Sequence, residues 1–318
     1  MGSPEFALPT LRRLIESDHE VAGVVTQPDR PAGRGRGLRP PPAKELAQAH
    51  GLPVLQPERV NAPDALDELR ALAPEAIVIA AYGQILKQPL LDLPVRGILN
   101  VHASLLPKYR GATPAAAAIL AGEETTGVTI LEVRLALDAG PIVAQRRIPI
   151  QPHDTTGTLN EKLAELGAEL LIEVLPAWER GEIEPQPQDD AETSYSPMLQ
   201  REDAHIDWSL PAVDVWRRVR ALQPWPVATT SVDGEPLRIL EAWPLEDTAA
   251  VVAEPDAPPA TVLALPPDAE APAGAGFAVR CGQGLLAVVR AQRAGRRALS
   301  GQELLRGFRG LLGKRLGG

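Results

Sequence analysis

The chain has 318 residues, 44% of them hydrophobic and 23% charged, with a net charge of −9 and a pI near 5.2. That length and composition suit two folded domains and exclude a non-specific coat on nucleic acid, which needs a strongly basic balance. The single cysteine, Cys281, excludes intramolecular disulfides and cysteine-cluster metal sites, and the five histidines show no ligand spacing, so no metal is implied. No apolar run approaches a membrane span, and the N-terminus lacks a basic region followed by a hydrophobic one. A soluble cytoplasmic protein is expected.

In chain order, residues 4–17 place Phe6, Leu8, Leu11, Leu14 and Ile15 on one broad face and predict an amphipathic helix. A buried strand is expected at 21–26, followed by a loop at 27–40 with too much Gly and Pro for a regular element. Helices at 43–50 and 63–72 flank a short strand at 54–55. The apolar runs 76–81 and 97–101 read as strands of the parallel type. Alternation of strands and helices at this spacing predicts a parallel α/β sheet.

Thr113 can cap a helix over 115–120 with Pro114 in its first turn. Strands at 127–133 and 142–150 can pair antiparallel. A long helix over 158–175 should stop at Pro176. The polar, Pro-containing stretch that follows marks a boundary, giving domains at 1–181 and 207–318 with a linker at 182–206. The second half holds a helix over 212–222, short strands at 227–232, 237–242, 260–264, 276–279 and 285–291, and a last helix over 302–312. Short strands separated by turns predict a small β-barrel. Trp208, Trp216 and Trp225 read as inter-domain or barrel core rather than a base-stacking platform, and residues 251–275 as a loose loop.

Chemistry concentrates at 100–140. Asn100 and His102 are two apart on a strand and share one face, at a carboxyl end where such sheets bind ligands. Asp138 lies on the connection between the two antiparallel strands. An amide can donate to an oxyanion, an imidazole can shuttle a proton, and a carboxylate can orient the imidazole. The same residues also suit a hydrogen-bonded loop histidine and an ordinary Asp-Ala-Gly turn, so spacing leaves both readings open.

Taken together, GSPEFA, VVTQPDRPAGRG, AYGQIL, ILNVHASLLPKYRGATP, TGVTI with LDAGPI, DTTGTL, HIDWS, RALQPWP and ALSGQELL resemble the methionyl-tRNA formyltransferase family over nearly the whole length. The resemblance implies an α/β fold, with a Rossmann-like, mostly parallel sheet followed by a small OB-like C-terminal β-barrel. It also implies a place in protein biosynthesis: the formyl group of 10-formyltetrahydrofolate, the cosubstrate, passes to the α-amine of initiator methionyl-tRNA, the partner. Asn100, His102 and Asp138 match the catalytic residues, and Ser104, Leu105, Leu106 and Pro107 match the folate loop. Arg30, Arg34, Arg36 and Arg39 match the loop entering the tRNA acceptor end, with Arg34 its main expected contact.

Residues 280–318 carry nine Arg or Lys against one acid, so Arg293, Arg296 and Arg297 are further expected tRNA contacts. No membrane partner is expected, and a monomer is. Family members have a central first strand before the GSPEFA-like turn, where this chain has only Met1, so that strand is expected to be missing. The alternatives are a formyltransferase or hydrolase of this fold acting on a small molecule, and an inactive RNA-binding relative.

Overall fold

Strand and helix alternate through the first half of the chain, and short strands follow one another through the second. In a computed structural model, which describes residues 1–32, 37–245, 257–266 and 269–317, these halves become two compact units. The first comprises Met1–Ala115, Glu124–Ile150 and Thr158–Pro197; the second comprises Ala116–Glu123, Gln151–Gly157 and Met198–Gly318.

After a 3-10 turn at Glu5–Ala7 come α1 (Leu8–Glu16), β1 (Val24–Val25), β2 (Arg30–Ala32), β3 (Gly37–Arg39) and α2 (Pro42–Ala49). Next are β4 (Val54–Leu55), α3 (Pro63–Ala71), β5 (Ile77–Ile79), α4 (Gln88–Leu91), β6 (Ile98–His102) and β7 (Arg110–Gly111). Then follow α5 (Pro114–Ala121), β8 (Thr125–Glu132), β9 (Ile142–Pro149), α6 (Thr156–Glu179) and β10 (Tyr195–Ser196). Helices α1 to α4 each carry proline at one of their first two positions, where its fixed φ suits the helix and its missing N–H is not needed.

The sheet order is β5-β6-β8-β9, with β5 and β6 parallel and β8 antiparallel to both its neighbours. Strands β1 and β4 form a separate parallel pair. Met1 and Gly2 stand between that pair and β5. The Met1 amine donates to the Val78 carbonyl at 2.6 Å, Ala80 N to the Met1 carbonyl at 2.9 Å, and Gly2 N to the Val25 carbonyl at 3.0 Å. Met1 and Gly2 thus link that pair to β5, beside a cavity of about 480 Å³ lined in part by Leu11, Val24, Ile77 and Leu175. Burial lowers the Met1 amine to about 5.

Helix α6 covers the sheet with Leu159, Leu163, Leu170 and Leu171, all buried. A Cβ on Gly167 would stand 2.4 Å from Val101 Cγ1, so glycine lets the helix approach β6 at its functional end. Contrary to expectation, α6 does not stop at Pro176 but runs on to Glu179. Beyond the proline, Trp178 is buried and its indole N–H donates to Glu132 Oε1 at 3.0 Å. Tertiary anchoring overrides the local break. The loop at 27–40 also differs from expectation, because β2 and β3 pair antiparallel within it.

The second unit contains α7 (Ala212–Ala221), β11 (Thr229–Val232), β12 (Glu235–Leu245), β13 (Val262–Ala264), β14 (Phe277–Arg280), β15 (Leu285–Arg293), β16 (Leu299–Ser300) and α8 (Gly301–Gly307). Its antiparallel sheet runs β11-β12-β15-β14-β13, with β16 on β15. Asp233 and Gly234 both have positive φ, the two-residue turn that matches strand twist in a hairpin. The tail closes the sheet toward a barrel: Arg315 bridges Thr261 near one edge, and Gly317 bridges Ser231 on the other.

Trp208 lies in the core and donates to Thr230 Oγ1 at 3.1 Å, and Trp216 packs against that core. Trp225, by contrast, is 52% exposed. Helix α8 ends earlier than expected, at Gly307, and Gly310 and Gly313 beyond it adopt positive φ. Arg220 is buried, donates to the carbonyls of Asp154 and Gln151, and lies 4.2 Å over the Trp216 ring. Desolvation lowers it to about 10, still charged at neutral pH.

Two outcomes follow from this packing. Gly167→Ala should lower stability by about 1–2 kcal/mol in denaturant unfolding, because overpacking against Val101 outweighs the helix propensity gained. Cys281 is buried, and desolvation raises its thiol to about 12. At pH 8.5 a disulfide reagent should therefore label it only after unfolding, as measured by released chromophore.

Candidate active site

The two-residue period of β6 puts Asn100 and His102 on one face and Val101 on the other. Register places Asn100 beside Ile79 and Leu131, and His102 beside Thr129. Asp138 comes from the β8–β9 connection, where it holds a left-handed φ of 49°, a conformation that costs a non-glycine residue of order 1 kcal/mol. Its carboxylate is 3.4 Å from Asn100 Nδ2 through Oδ1 and 3.7 Å from His102 Nδ1 through Oδ2. The amide, imidazole and carboxylate expected from the sequence therefore meet in space.

Other donors and acceptors orient the trio. Gly111 N donates to Asp138 Oδ2 at 2.9 Å. Gly111 sits at φ 116°, and a Cβ there would lie 2.6 Å from the Ser196 carbonyl oxygen, so the approach requires glycine. His102 Nε2 is 3.1 Å from the Tyr109 carbonyl. A carbonyl only accepts, so Nε2 carries the proton in this contact and Nδ1 faces the carboxylate. His102 is 5% exposed and the Asp138 side chain 13%, so water screens charge on either group less than on an open surface.

Residues 104–107 leave the end of β6. Ser104 is buried and donates to the Lys108 carbonyl at 2.7 Å. Thr129 Oγ1 accepts from Leu106 N at 3.1 Å and donates to the Ser104 carbonyl at 2.7 Å. Gln145 Nε2 donates to the Leu106 carbonyl and to Thr129 Oγ1. Ser104 and Leu106 therefore face inward and shape the loop, whereas Leu105 and Pro107 stay half-buried. Thr129 lies within the TGVTI motif and Gln145 in no quoted motif, and neither was singled out in the sequence; strand pairing brings both to the loop.

Arg30 and Arg39 face each other across the β2–β3 hairpin and are exposed. Arg34 and Arg36 lie outside the described residues. Lys44 Nζ donates to both Asp29 oxygens at 2.8 Å, and Gln56 Nε2 donates to Asp29 Oδ1 and the Gln27 carbonyl. The Lys44 hydrogen bond, with that from Gln56, holds the Asp29 carboxyl below its ordinary range. In the second unit, Arg296 is exposed, Arg297 pairs with Glu303 at 3.2 Å, and Arg293 pairs with Glu235 at 2.7 Å beside the Phe308 ring. Among the described residues no group of three or more His, Cys, Asp or Glu could hold a metal ion.

Residues 1–175 match the family described as formyl transferase, and residues 198–309 match the formyl transferase C-terminal domain. The chain is 47% identical over 308 residues to the methionyl-tRNA formyltransferase of Chloroflexus aurantiacus, covering 96% of this chain and 95% of that protein. This chain belongs to the methionyl-tRNA formyltransferase family. The Methylococcus capsulatus member is 44% identical, covering 99% of this chain and 98% of its own.

Solved structures share the family's fold at greater distance. A Helicobacter canadensis N-formyltransferase in complex with folinic acid and dTDP-3-aminofucose aligns with a TM-score of 0.64 at 17% identity, covering 92% of this chain and 97% of its own. HypX from Aquifex aeolicus in complex with tetrahydrofolic acid aligns with a TM-score of 0.58 at 22% identity, covering 89% of this chain. This chain spans 46% of HypX.

Proposed function

We propose that Asn100, His102 and Asp138 are the catalytic groups with which this protein transfers the formyl group of 10-formyltetrahydrofolate to the α-amine of initiator methionyl-tRNA, giving N-formylmethionyl-tRNA for translation initiation. The observation that carries the assignment is the convergence of the Asn100 and His102 side chains on Asp138, at 3.4 Å and 3.7 Å. The folate supplies an activated formyl group. The residues suit it: the Asn100 amide can face a formyl oxygen, and the half-buried Leu105 and Pro107 offer an apolar surface beside it.

Each residue's part follows from its chemistry. Asn100 Nδ2 donates to the formyl oxygen as negative charge develops there; a preorganised donor of this kind is worth about 10²- to 10³-fold in rate. Attack requires the methionyl amine to lose a proton and the folate nitrogen to regain one. His102 Nδ1 can hold that proton, and the resulting N–H points toward Asp138. His102 and Asp138 thus act as a coupled pair, the carboxylate setting the direction in which the imidazole exchanges protons.

The chemistry is carried by residues 1–181, with 182–206 as the linker and 207–318 as the tRNA-binding domain. Arg30 and Arg39, on β2 and β3, contact the acceptor end together with Arg34 and Arg36, and Arg293, Arg296 and Arg297 add phosphate contacts. Arg296 has the greatest freedom of these three, since Arg293 and Arg297 already pair with carboxylates. The enzyme works as a monomer in the cytoplasm. Among the described residues no helix is long and apolar enough to cross a membrane.

Formylation assays with 10-formyltetrahydrofolate and charged initiator tRNA test this reading. Asn100→Ala and His102→Ala should each lower kcat by about 10²- to 10³-fold with little change in either KM; near wild-type turnover in either removes the mechanism. Arg30→Ala combined with Arg39→Ala should raise KM for tRNA and flatten its salt dependence by about one counterion per lost phosphate contact. Folate affinity, measured by equilibrium titration, should stay unchanged in that variant.

A further inference from the structure

Asp138 is held by more than its carboxylate contacts. Residues 134–137, leading into it, are exposed, including Leu135 at 61% and Leu137 at 58%, so side-chain burial does little to fix this turn. The backbone is nevertheless unusual: Asp138 has φ 49°, and a Cβ on Gly140 would stand 1.7 Å from the Glu132 carbonyl oxygen. Some interaction must hold the turn closed.

Glu132 N donates to the Pro141 carbonyl at 3.0 Å and Ala139 N to the Ala136 carbonyl at 3.3 Å, and the side-chain grip on residues 138–140 comes from Gln188. Its Nε2 donates to the carbonyls of both Asp138 and Gly140, each at 2.7 Å. Its Oε1 accepts from Arg110 Nε at 3.0 Å and from Arg110 Nη2 at 2.8 Å. A guanidinium can only donate and the two carbonyls can only accept, so one orientation of the amide satisfies all four contacts. The Arg110 side chain is 5% exposed, and it also pairs with Asp190 Oδ1 at 2.9 Å. Upstream, Gln186 exchanges both backbone hydrogen bonds with Ile142, which fixes the chain carrying Gln188 beside β9.

Arg110 therefore acts on Asp138 from two directions. Its side chain sets Gln188, which grips the main chain of the turn, and the backbone N–H of the next residue, Gly111, grips the carboxylate at 2.9 Å. From this geometry we infer that Gln188, oriented by Arg110, is a positioning residue for formyl transfer: it aims the Asp138 carboxylate at His102 by clamping the 138–140 turn. The inference rests on the reading of Asp138 as the catalytic carboxylate. Gln188 touches no reacting group and acts through Asp138 alone.

The test uses two replacements of similar size in the full-length protein. Gln188→Glu keeps the Arg110 pairing but sets a carboxylate oxygen against two carbonyls; Gln188→Met removes donor and acceptor together. Both should lower kcat by about 10- to 100-fold, the size expected from losing two hydrogen bonds, with KM for folate and tRNA within about twofold. Placed on Asp138→Asn and measured by single turnover, neither should lower the rate further, because two residues acting as one unit do not add. Wild-type kcat in a folded Gln188 variant overturns the inference. So does a loss that adds in full to Asp138→Asn, which would mark a merely structural role. Wild-type turnover in Asp138→Asn alone overturns the underlying assignment of the site, a different result from failure of the clamp.

Discussion

One strand has to satisfy opposite demands on its two faces. At β6, Val101 must pack against a helix while Asn100 and His102, one residue to either side, present polar groups on the other face. The period of a strand makes this possible in three consecutive residues, but only if the helix comes close enough to seal the apolar side. Gly167 permits that approach, with no side chain between the α6 backbone and Val101. A shift of the helix or a slip of one residue in register would turn the imidazole into the core and Val101 toward the site.

The rest of the site is a set of ties converging on that strand. Asp138 is drawn in by Asn100, by Gly111 N and by the Gln188 clamp. The 104–107 loop is latched to Thr129 and Gln145 on the two neighbouring strands. Apart from the longer 3.4 Å contact with Asn100, these hydrogen bonds are 2.7–3.1 Å long at largely buried positions, where an unmade partner is costly and a made one fixes direction. The arginine hairpin is arranged differently. Lys44, Gln56 and Asp29 hold its base, while Arg30 and Arg39 extend into solvent, where a charged polymer can reach them.

Much of this was legible beforehand. Most strands and helices of the first half follow from apolar periodicity, though β2, β3, α4 and β7 do not, and the antiparallel pair flanking Asp138 follows from two β-rich runs around a turn. The departures share a cause in long-range contacts. Pro176 should end a helix, yet α6 continues to Glu179 because buried Trp178 finds Glu132 across the fold. The Gly- and Pro-rich segment after residue 27 reads as irregular, yet its flanks pair as β2 and β3. Trp225 reads as core by residue type but is 52% exposed, since aromatic character says nothing about which side of a turn a ring takes.

The sequence by itself pointed to the family through the ordered motifs it carries, set the α/β-then-barrel order of the chain, and put Asn100 and His102 on one strand face with Asp138 on a connection, because these are carried by residue type and local spacing. Only the tertiary structure decided how those residues are held. Gln188 lies in a polar stretch that reads as a linker, Gln145 sits on a strand with nothing to distinguish it, and Thr129 falls in a motif that does not announce its part. Their roles arise from register and from backbone carbonyls brought close by folding. Hydrogen bonds to main-chain atoms leave no mark in side-chain chemistry, so no pattern of residues announces them.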